Sequence, residues 1–354
     1  MVELRRAILS GTLRDPRRRF ATVETEVEVR WDPLTGHTSR LLEARGLMPA
    51  DAVDIGRMAE ESRAGCPFCR ERILEATPEL PTDLGLGERL TQGEAVLFPN
   101  LHTYGTWSAV TVYSPERHLL AVNDLSASLV ADNLRAQVRW ARAVMRADPE
   151  SSWISLNANH LVSSGSSLFH PHMQSLADPV PTTAQRNFAD VPADRFIAYL
   201  EMERSSGERY LGGGAHTEWL ASFAPLGPCE LRAFVPAVAS PAQLDDEMVE
   251  ELGRGISAAA ALYSDLGYQS FNLAMYGLPA HTEGYPLNLR MVVRSNPTPL
   301  YRSDATYLER LHWEGAIDIW PEEVAERARP RFLSLVRQRS GPDSSSAPGL
   351  RLFS

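Results

Sequence analysis

Two stretches of the chain carry the same succession of hydrophobic periods. In the first, GEAVLFPNL (93–101) and SAVTVYSPERH (108–118) predict strands, and LSASLVADNLRAQVRWARAVMRAD (125–148) repeats its apolar residues at helical spacing. WISLNANH (153–160) and HPHMQSLADP (170–179) then return to strand character. In the second stretch, WLASFAPLG (219–227) and CELRAFVPA (229–237) predict strands and LDDEMVEELGRGISAAAALYSDLG (244–267) a helix. FNLAMYG (271–277) and PLNLRMVVRSNP (286–297) follow as strands.

Aligning Pro179 with Pro297 puts Met173 on Met291, His172 on Arg290 and His170 on Asn288. A duplicated α+β unit is the simplest account. The offset is far longer than the roughly 20–50 residues of a solenoid repeat, so two copies would form paired domains or one pseudo-symmetric sheet. The organisation read from this is a first repeat over 1–180, a connector over 181–215, a second repeat over 216–335 and a tail over 336–354. RFIAYLEMERS in the connector has helical character, PEEVAERARPRFLSLVRQ near the end predicts a helix, and SGPDSSSAPGLRLFS has the composition of a disordered segment.

Composition narrows the function. The formal net charge of −10 opposes a nucleic-acid partner, whose phosphates need clustered cations. All 35 basic residues are arginine, which excludes P-loop and Schiff-base lysine chemistry. The N-terminus lacks the apolar run of a signal peptide, and no segment reads as a membrane span, so the expected place is the cytoplasm.

Three cysteines are present, and Cys66 and Cys69 form CPFC. That spacing suits two zinc thiolates from one turn, with His118 of SPERH and His170 as the favoured further ligands; it also suits a reduced pair in a loop. Four protein ligands would make the metal structural. Cys229, alone on a predicted strand, reads as a small core residue.

The segment SSGSSLFHPHMQ (163–174) holds the chemistry. In a strand His170 and His172 share a face, and Pro171, which cannot donate to a ladder, predicts an edge or a bulge. The Gly/Ser run before them offers amides and hydroxyls to an oxyanion. A neutral imidazole in a fixed tautomer is a competent nucleophile toward phosphorus, and a glutamine can donate to a non-bridging oxygen. Two histidines on a polar strand face are the alternative.

The run SLFHPHMQ, with WDPLTG (31–36), CPFC, SPERH, NANH and PEEVAERAR, resembles the galactose-1-phosphate uridylyltransferases, the two-repeat branch of the histidine-triad superfamily. The resemblance implies an α+β fold of two fused histidine-triad-like repeats, with antiparallel sheets flanked by helices. It implies one structural zinc on Cys66, Cys69, His118 and His170, His172 as nucleophile and Gln174 as stabiliser of the phosphoryl oxygen. Asn159, Ser166 and Ser167 would hold phosphates, and Arg45 falls on the first of two family arginines near the substrate. The implied activity is nucleotidyl transfer from a nucleotide sugar through a nucleotidyl-histidine to a phosphate acceptor, by a cytoplasmic homodimer. A phosphorylase, a hydrolase and a catalytically silent zinc-stabilised nucleotide binder are the alternatives.

The sequence departs from that pattern in the second repeat. Tyr276, Asn288 and Arg290 stand where the family has three ligands of a second metal, so no second iron or zinc site is expected. Met48 stands at the second arginine position, and Glu309 falls near a lysine used at the sugar phosphate, which puts galactose 1-phosphate in doubt as substrate. Arg290 is expected to be exposed. His160 is expected to be packed, and Tyr276, His281, Glu283 and Tyr285 are either an altered acceptor pocket or plain surface.

Overall fold

Backbone pairing merges the two repeats into one antiparallel sheet. The structure is a computed structural model that describes residues 2–42, 53–298 and 303–337. Arg45 and Met48, and most of the tail, lie outside the described residues. The chain opens with β1 (Arg6–Asp15), β2 (Ala21–Trp31), β3 (Thr38–Leu42), α1 (Ile55–Arg63) and α2 (Ile73–Ala76). The first repeat follows as β4 (Leu90–Gln92), β5 (Ala95–Pro99), β6 (Trp107–Val112), α3 (Ala127–Ala147), β7 (Trp153–His160) and β8 (His172–Asp178). After α4 (Thr183–Ala189) and α5 (Ala193–Ser206) come β9 (Tyr210–Gly213), β10 (Glu218–Ala221), β11 (Leu231–Val235), α6 (Asp246–Asp265), β12 (Ser270–Tyr276) and β13 (Leu287–Arg294). The last elements are β14 (Gly315–Ile317) and α7 (Pro321–Arg337).

The sheet order is β4-β5-β6-β8-β7-β12-β13-β11-β10-β9, which reads as two copies of one five-strand order meeting at β7 and β12. The registers carry the symmetry. Asn157 faces Ala274 and Asn159 faces Asn272, and these pairs exchange under a two-fold that maps Asn157 on Asn272. The same operation maps the Asn157–Gln174 pair on Asn272–Val292, and so His172 on Arg290. A smaller sheet, β1-β2-β3-β14, lies alongside, its β3 and β14 parallel.

Strand alternation gives the large sheet two unlike faces. One carries Leu156, Ala158, Met173, Ala177, Leu273, Met275, Leu289 and Met291 into the main core beneath α3 and α6. Each helix starts at a side-chain cap, Ser126 accepting from the Leu129 amide (3.3 Å) and Asp245 from the Met248 amide (2.8 Å). Burying each large apolar side chain of that face contributes about 1.5–3 kcal/mol.

Among the described residues, apolar side chains cover the opposite face at its ends. Ile73 and Phe68 pack there on Phe98, Val110 and Val112 of the first repeat. Phe188, Phe196, Tyr199 and Leu200 of α4 and α5 pack on Leu220 and Phe234 of the second. Between them the central strands present Gln174, Asn157, Asn159, Asn272 and Arg290, and this gap positions the site.

Two expectations fail here. Pro171 lies just before β8, which is a central strand between β6 and β7, so the proline costs no ladder bond. Its carbonyl instead accepts from the Tyr113 amide at 3.2 Å. Arg290 is only 4 % exposed, because carboxylates meet it inside the fold.

Gly255 fixes how closely α6 approaches β10. A methyl group there would lie 2.2 Å from the ring of Trp219, which is fully buried. Alanine gains about 1 kcal/mol in helix propensity. The overpacking cost of about 1–3 kcal/mol is larger against an indole that cannot move aside. Gly255→Ala should lower the midpoint of urea unfolding, and an unchanged or raised midpoint would show that the indole yields.

Candidate active site and metal centre

The loop before α2, the SPERH loop after β6 and the turn before β8 bring four ligand atoms together. One ligand atom each from Cys66, Cys69, His118 and His170 lies within 4.8 Å of all the others, and all four residues are buried. Cys66 Sγ and Cys69 Sγ are each 3.6 Å from His170 Nδ1, and Cys69 Sγ is 3.3 Å from His118 Nδ1. A tetrahedral zinc with its usual S and N bond lengths has S···N edges of about 3.5 Å, so the spacing fits that ion.

The outer nitrogens fit as well. His170 Nε2 donates to the Ser114 carbonyl at 3.0 Å, and His118 Nε2 lies 3.0 Å from both the Ala59 carbonyl and Ser62 Oγ. With the proton on Nε2, both Nδ1 atoms are lone-pair donors. Burial, with the Cys66 thiol close by, pushes the Cys69 thiol up to about 12, and burial lowers His170 to about 4. Zinc binding there displaces thiol protons and takes neutral imidazoles. The four residues would hold one structural zinc with no open position, leaving the chemistry to the residues beside it.

His172 follows from this placement. Its Nδ1 donates to the backbone carbonyl of His170 at 2.8 Å, which fixes the tautomer with the lone pair on Nε2. Nε2 has no hydrogen-bond partner among the described residues. Burial lowers the pKa of the ring, keeping it neutral near pH 7. Phe68, inside CPFC, packs edge-on against it with centroids 5.3 Å apart. The ring is 7 % exposed.

Next to it lies a polar cavity of about 640 Å³ over β7, β12 and β13. Asn157, Asn159, Asn272, Tyr276, Arg290, Arg294 and Arg310 line it with Ser163, Ser164 and Gly165. His172 is not among the lining residues: β8 is the next strand beyond Asn159, one strand spacing from the cavity wall. Asn272 Nδ2 donates to Asn159 Oδ1 (2.6 Å) and to the Ser164 carbonyl (2.9 Å), while Arg294 Nη1 donates to Asn272 Oδ1 (2.6 Å).

Of the residues marked from sequence, Asn159 lines this cavity and Gln174 shares its sheet face. Ser166 spends its hydroxyl on the backbone of Leu168, and Ser167 is exposed. His160 is buried on the other side, stacked on Phe271 with centroids 4.8 Å apart. Tyr276 also lines a smaller cavity of about 230 Å³ with Phe188, Leu226, Arg290 and Trp313. Tyr285 is buried and donates to the Tyr276 carbonyl (2.6 Å), whereas His281 and Glu283 are exposed. Glu309 does not line the polar cavity, and its neighbour Arg310 does.

Sequence reasoning missed the charge cluster under the second repeat. Arg290 meets Glu230 at 3.0 Å and Asp32 at 3.4 Å, and Arg232 meets Asp32 at 3.1 Å, all at 4 % exposure or less. Burial alone would raise Asp32, but His37, Arg232 and Arg290 hold it well below the usual carboxylate range. Asp32 is the acid of WDPLTG, and its other oxygen accepts the Leu34 and Thr35 amides at 3.0 and 2.9 Å. The internal repeat carried the signal for Asn272, which matches Asn157; nothing local marked Arg232 or Arg294.

The arrangement, a zinc-binding half and a charge-filled half of one pseudo-symmetric sheet, defines a two-repeat histidine-triad-like protein. No protein-family model matches the chain. An uncharacterized protein of Archaeoglobus fulgidus is 30% identical over 315 residues, 86% of this chain and 92% of that one. An ADP-glucose phosphorylase of Arabidopsis thaliana, solved with bound ADP-glucose, has a TM-score of 0.64 at 19% identity, over 86% of this chain and 98% of its own. A GalT-like protein of Arabidopsis thaliana gives 0.59 at 19% identity over 75% and 91%, and a uridylyltransferase 0.56 at 19% over 87% and 99%. The chain belongs to one family with the archaeal protein, and it shares its fold with the ADP-glucose phosphorylase and uridylyltransferase structures.

The purified protein should carry about one zinc per chain by elemental analysis. Cys66→Ala should lose it and melt earlier, while Ser62→Ala, which removes an outer partner of His118, should weaken zinc about 10-fold in a chelator competition. Zinc retained at full stoichiometry in Cys66→Ala would remove that thiol from the ligand set.

Proposed function

We propose that the protein transfers a nucleoside monophosphate from a nucleotide sugar to a phosphate acceptor through a covalent nucleotidyl-histidine on His172. The observation that carries this reading is the 2.8 Å hydrogen bond from Nδ1 to the His170 carbonyl, which leaves Nε2 as a neutral nucleophile beside a polar, arginine-lined cavity. The Nε2 lone pair forms a bond to the α-phosphorus, the bond from phosphorus to the bridging oxygen breaks, and the sugar phosphate leaves with that electron pair. An oxygen of the acceptor phosphate then attacks phosphorus, and the imidazole recovers its lone pair. The ring is cationic while it carries the nucleotide, and the His170 carbonyl stabilises that charge through Nδ1–H.

Other side chains position and neutralise. Gln174, half-buried on the same face two residues on, donates to a non-bridging oxygen as charge builds there. Asn159, braced by Asn272 and Arg294, holds the phosphates at the cavity edge. Arg310, exposed at the cavity, is a cation for a phosphate arriving from solvent. The sugar phosphate is a good leaving group, so positioning and electrostatics supply most of the acceleration and a strong general acid is not required.

The donor and acceptor belong to this proposal too. ADP-glucose is the ligand in one structure of the same fold, and another is a uridylyltransferase, so adenine and uracil donors are both natural probes. No helix among the described residues is long and apolar enough to cross a membrane. All three cysteines are free thiols, which suits a reducing compartment, and we place the protein in the cytoplasm.

Incubation with ADP-glucose or UDP-glucose, each labelled in the nucleotide, should give an acid-labile adduct of nucleoside monophosphate mass. His172→Gly should abolish it with zinc and fold intact, and Gln174→Ala should slow its formation about 10²–10³-fold. Tight nucleotide binding without an adduct would replace this reading with a silent binder. The product released by inorganic phosphate or by a sugar 1-phosphate separates phosphorylase from transferase.

A further inference from the structure

The smaller cavity, of about 230 Å³, adjoins the polar one, since Leu226, Tyr276 and Arg290 line both. Phe188 and Trp313 add two aromatic walls. The sheet fixes its place: Arg290 on β13 stands three strands along from His172 on β8, about 14 Å at the usual spacing. Pockets for drug-sized ligands run to roughly 300–1,000 Å³, so this space suits one ring and not a whole nucleotide sugar.

Trp313 is the first sign that a ring belongs there. It caps the turn Leu308–His312 at φ 57°, a left-handed position where glycine is the ordinary choice. For a bulky side chain that backbone is strained. The indole is also 65 % exposed, so the fold gains little burial in return. A strained, solvent-facing tryptophan on a cavity wall points to a contact made with a ligand.

Polar groups supply the second sign. Arg290 Nε is buried without a hydrogen-bond partner among the described residues. The Tyr276 hydroxyl and the side chains of Thr183 and Asn187 make no hydrogen bond there either. Thr183 and Asn187 are four residues apart on α4 and share a face, while Tyr276 and Arg290 come from β12 and β13. Thr35 and His37, by contrast, are spent: Thr35 Oγ1 donates to His37 Nδ1 at 2.8 Å, and His37 Nε2 donates to the Ala224 carbonyl at 2.9 Å. Charge is matched as well. Asp32 and Glu230 offset Arg232 and Arg290, and burial lowers the pKa of His37, keeping it neutral near pH 7. A phosphate therefore finds its counter-charge on Arg310 in the polar cavity, and this pocket suits a neutral group.

We propose that the pocket binds a neutral sugar ring, the second ring of a substrate whose first sugar, joined to phosphate, fills the polar cavity. Aromatic walls take the C–H faces of a sugar. Thr183, Tyr276 and Asn187 can each donate and accept, as sugar hydroxyls do, and Arg290 Nε donates. A hexose joined to the reacting phosphorus through one phosphate ends short of Arg290, and a second ring covers the remainder. The substrate class is a disaccharide phosphate and its nucleotide ester, a reading that rests on His172 as the site of transfer.

Calorimetric titration of the full chain with glucose 1-phosphate, maltose 1-phosphate and cellobiose 1-phosphate tests this, with the nucleotide-adduct assay beside it. At least one disaccharide phosphate should bind about 10-fold or more tighter than glucose 1-phosphate. Trp313→Gly, which suits the left-handed backbone, should keep zinc and far-UV circular dichroism and erase that preference. Asn187→Ala, exposed on α4, should reduce it several-fold, and His172→Gly should retain it. Equal affinity for the three phosphates in the wild type, or a preference unchanged in Trp313→Gly, overturns the sugar pocket. Binding of adenosine or uridine that Trp313→Gly abolishes would mark a base and overturn it too. A missing nucleotide adduct with the preference intact would remove the nucleophile and leave the pocket standing.

Discussion

A single peptide carbonyl sets the tautomer on which the proposed chemistry depends. The oxygen of His170 accepts from His172 Nδ1, and the ring of the same His170 reaches the two cysteines. Any shift of His170 would therefore turn the neighbouring imidazole. The zinc residues pin the CPFC loop and SPERH to the start of β8, and so set the direction of a lone pair they never touch. Phe68 completes the link, because it lies between the two cysteines and packs directly on the His172 ring. In the proposed reaction, which uses no metal, a structural zinc would act as a positioning device.

The pseudo-two-fold shows how far the two halves have diverged. Its operation carries His172 to Arg290, and the two residues answer opposite problems. In the first half burial keeps an imidazole neutral and available. In the second, burial of two arginines is met by Asp32 and Glu230, so the cluster carries matched charge. Removing one member would leave an uncompensated buried charge, a loss of about 3–5 kcal/mol in comparable sites. That cost explains why WDPLTG, far away in sequence, is tied to β11 and β13.

The repeated fold was legible because strand and helix periods are local, and WISLNANH matches β7 residue for residue. The zinc ligands were legible because CPFC marked two candidates and the resemblance carried by SPERH and HPHMQ implied the full set of four. The proline rule failed for a reason that periodicity does not carry: Pro171 ends a turn, and the ladder begins one residue later. Arg290 and Arg232 failed because a buried arginine depends on partners brought from residues 32 and 230.

For the proposed reaction, a chain with a net charge of −10 must still admit a polyanionic substrate. Charges on the far surface are screened beyond about 8 Å at physiological ionic strength, so the local set decides. Around the polar cavity, among the described residues, that set is Arg290, Arg294 and Arg310. Arg290 is neutralised by Glu230 and Asp32, and Arg294 bonds Asp304 while it braces Asn272. Arg310 alone of the three stands exposed on the short helical turn Leu308–His312. The buried arginines then shape the floor, and attraction of phosphate rests on a side chain free to move with it. A site built this way would hold the proposed nucleophile rigidly and its counter-charge loosely, which suits an exchange in which one phosphate must leave before another enters.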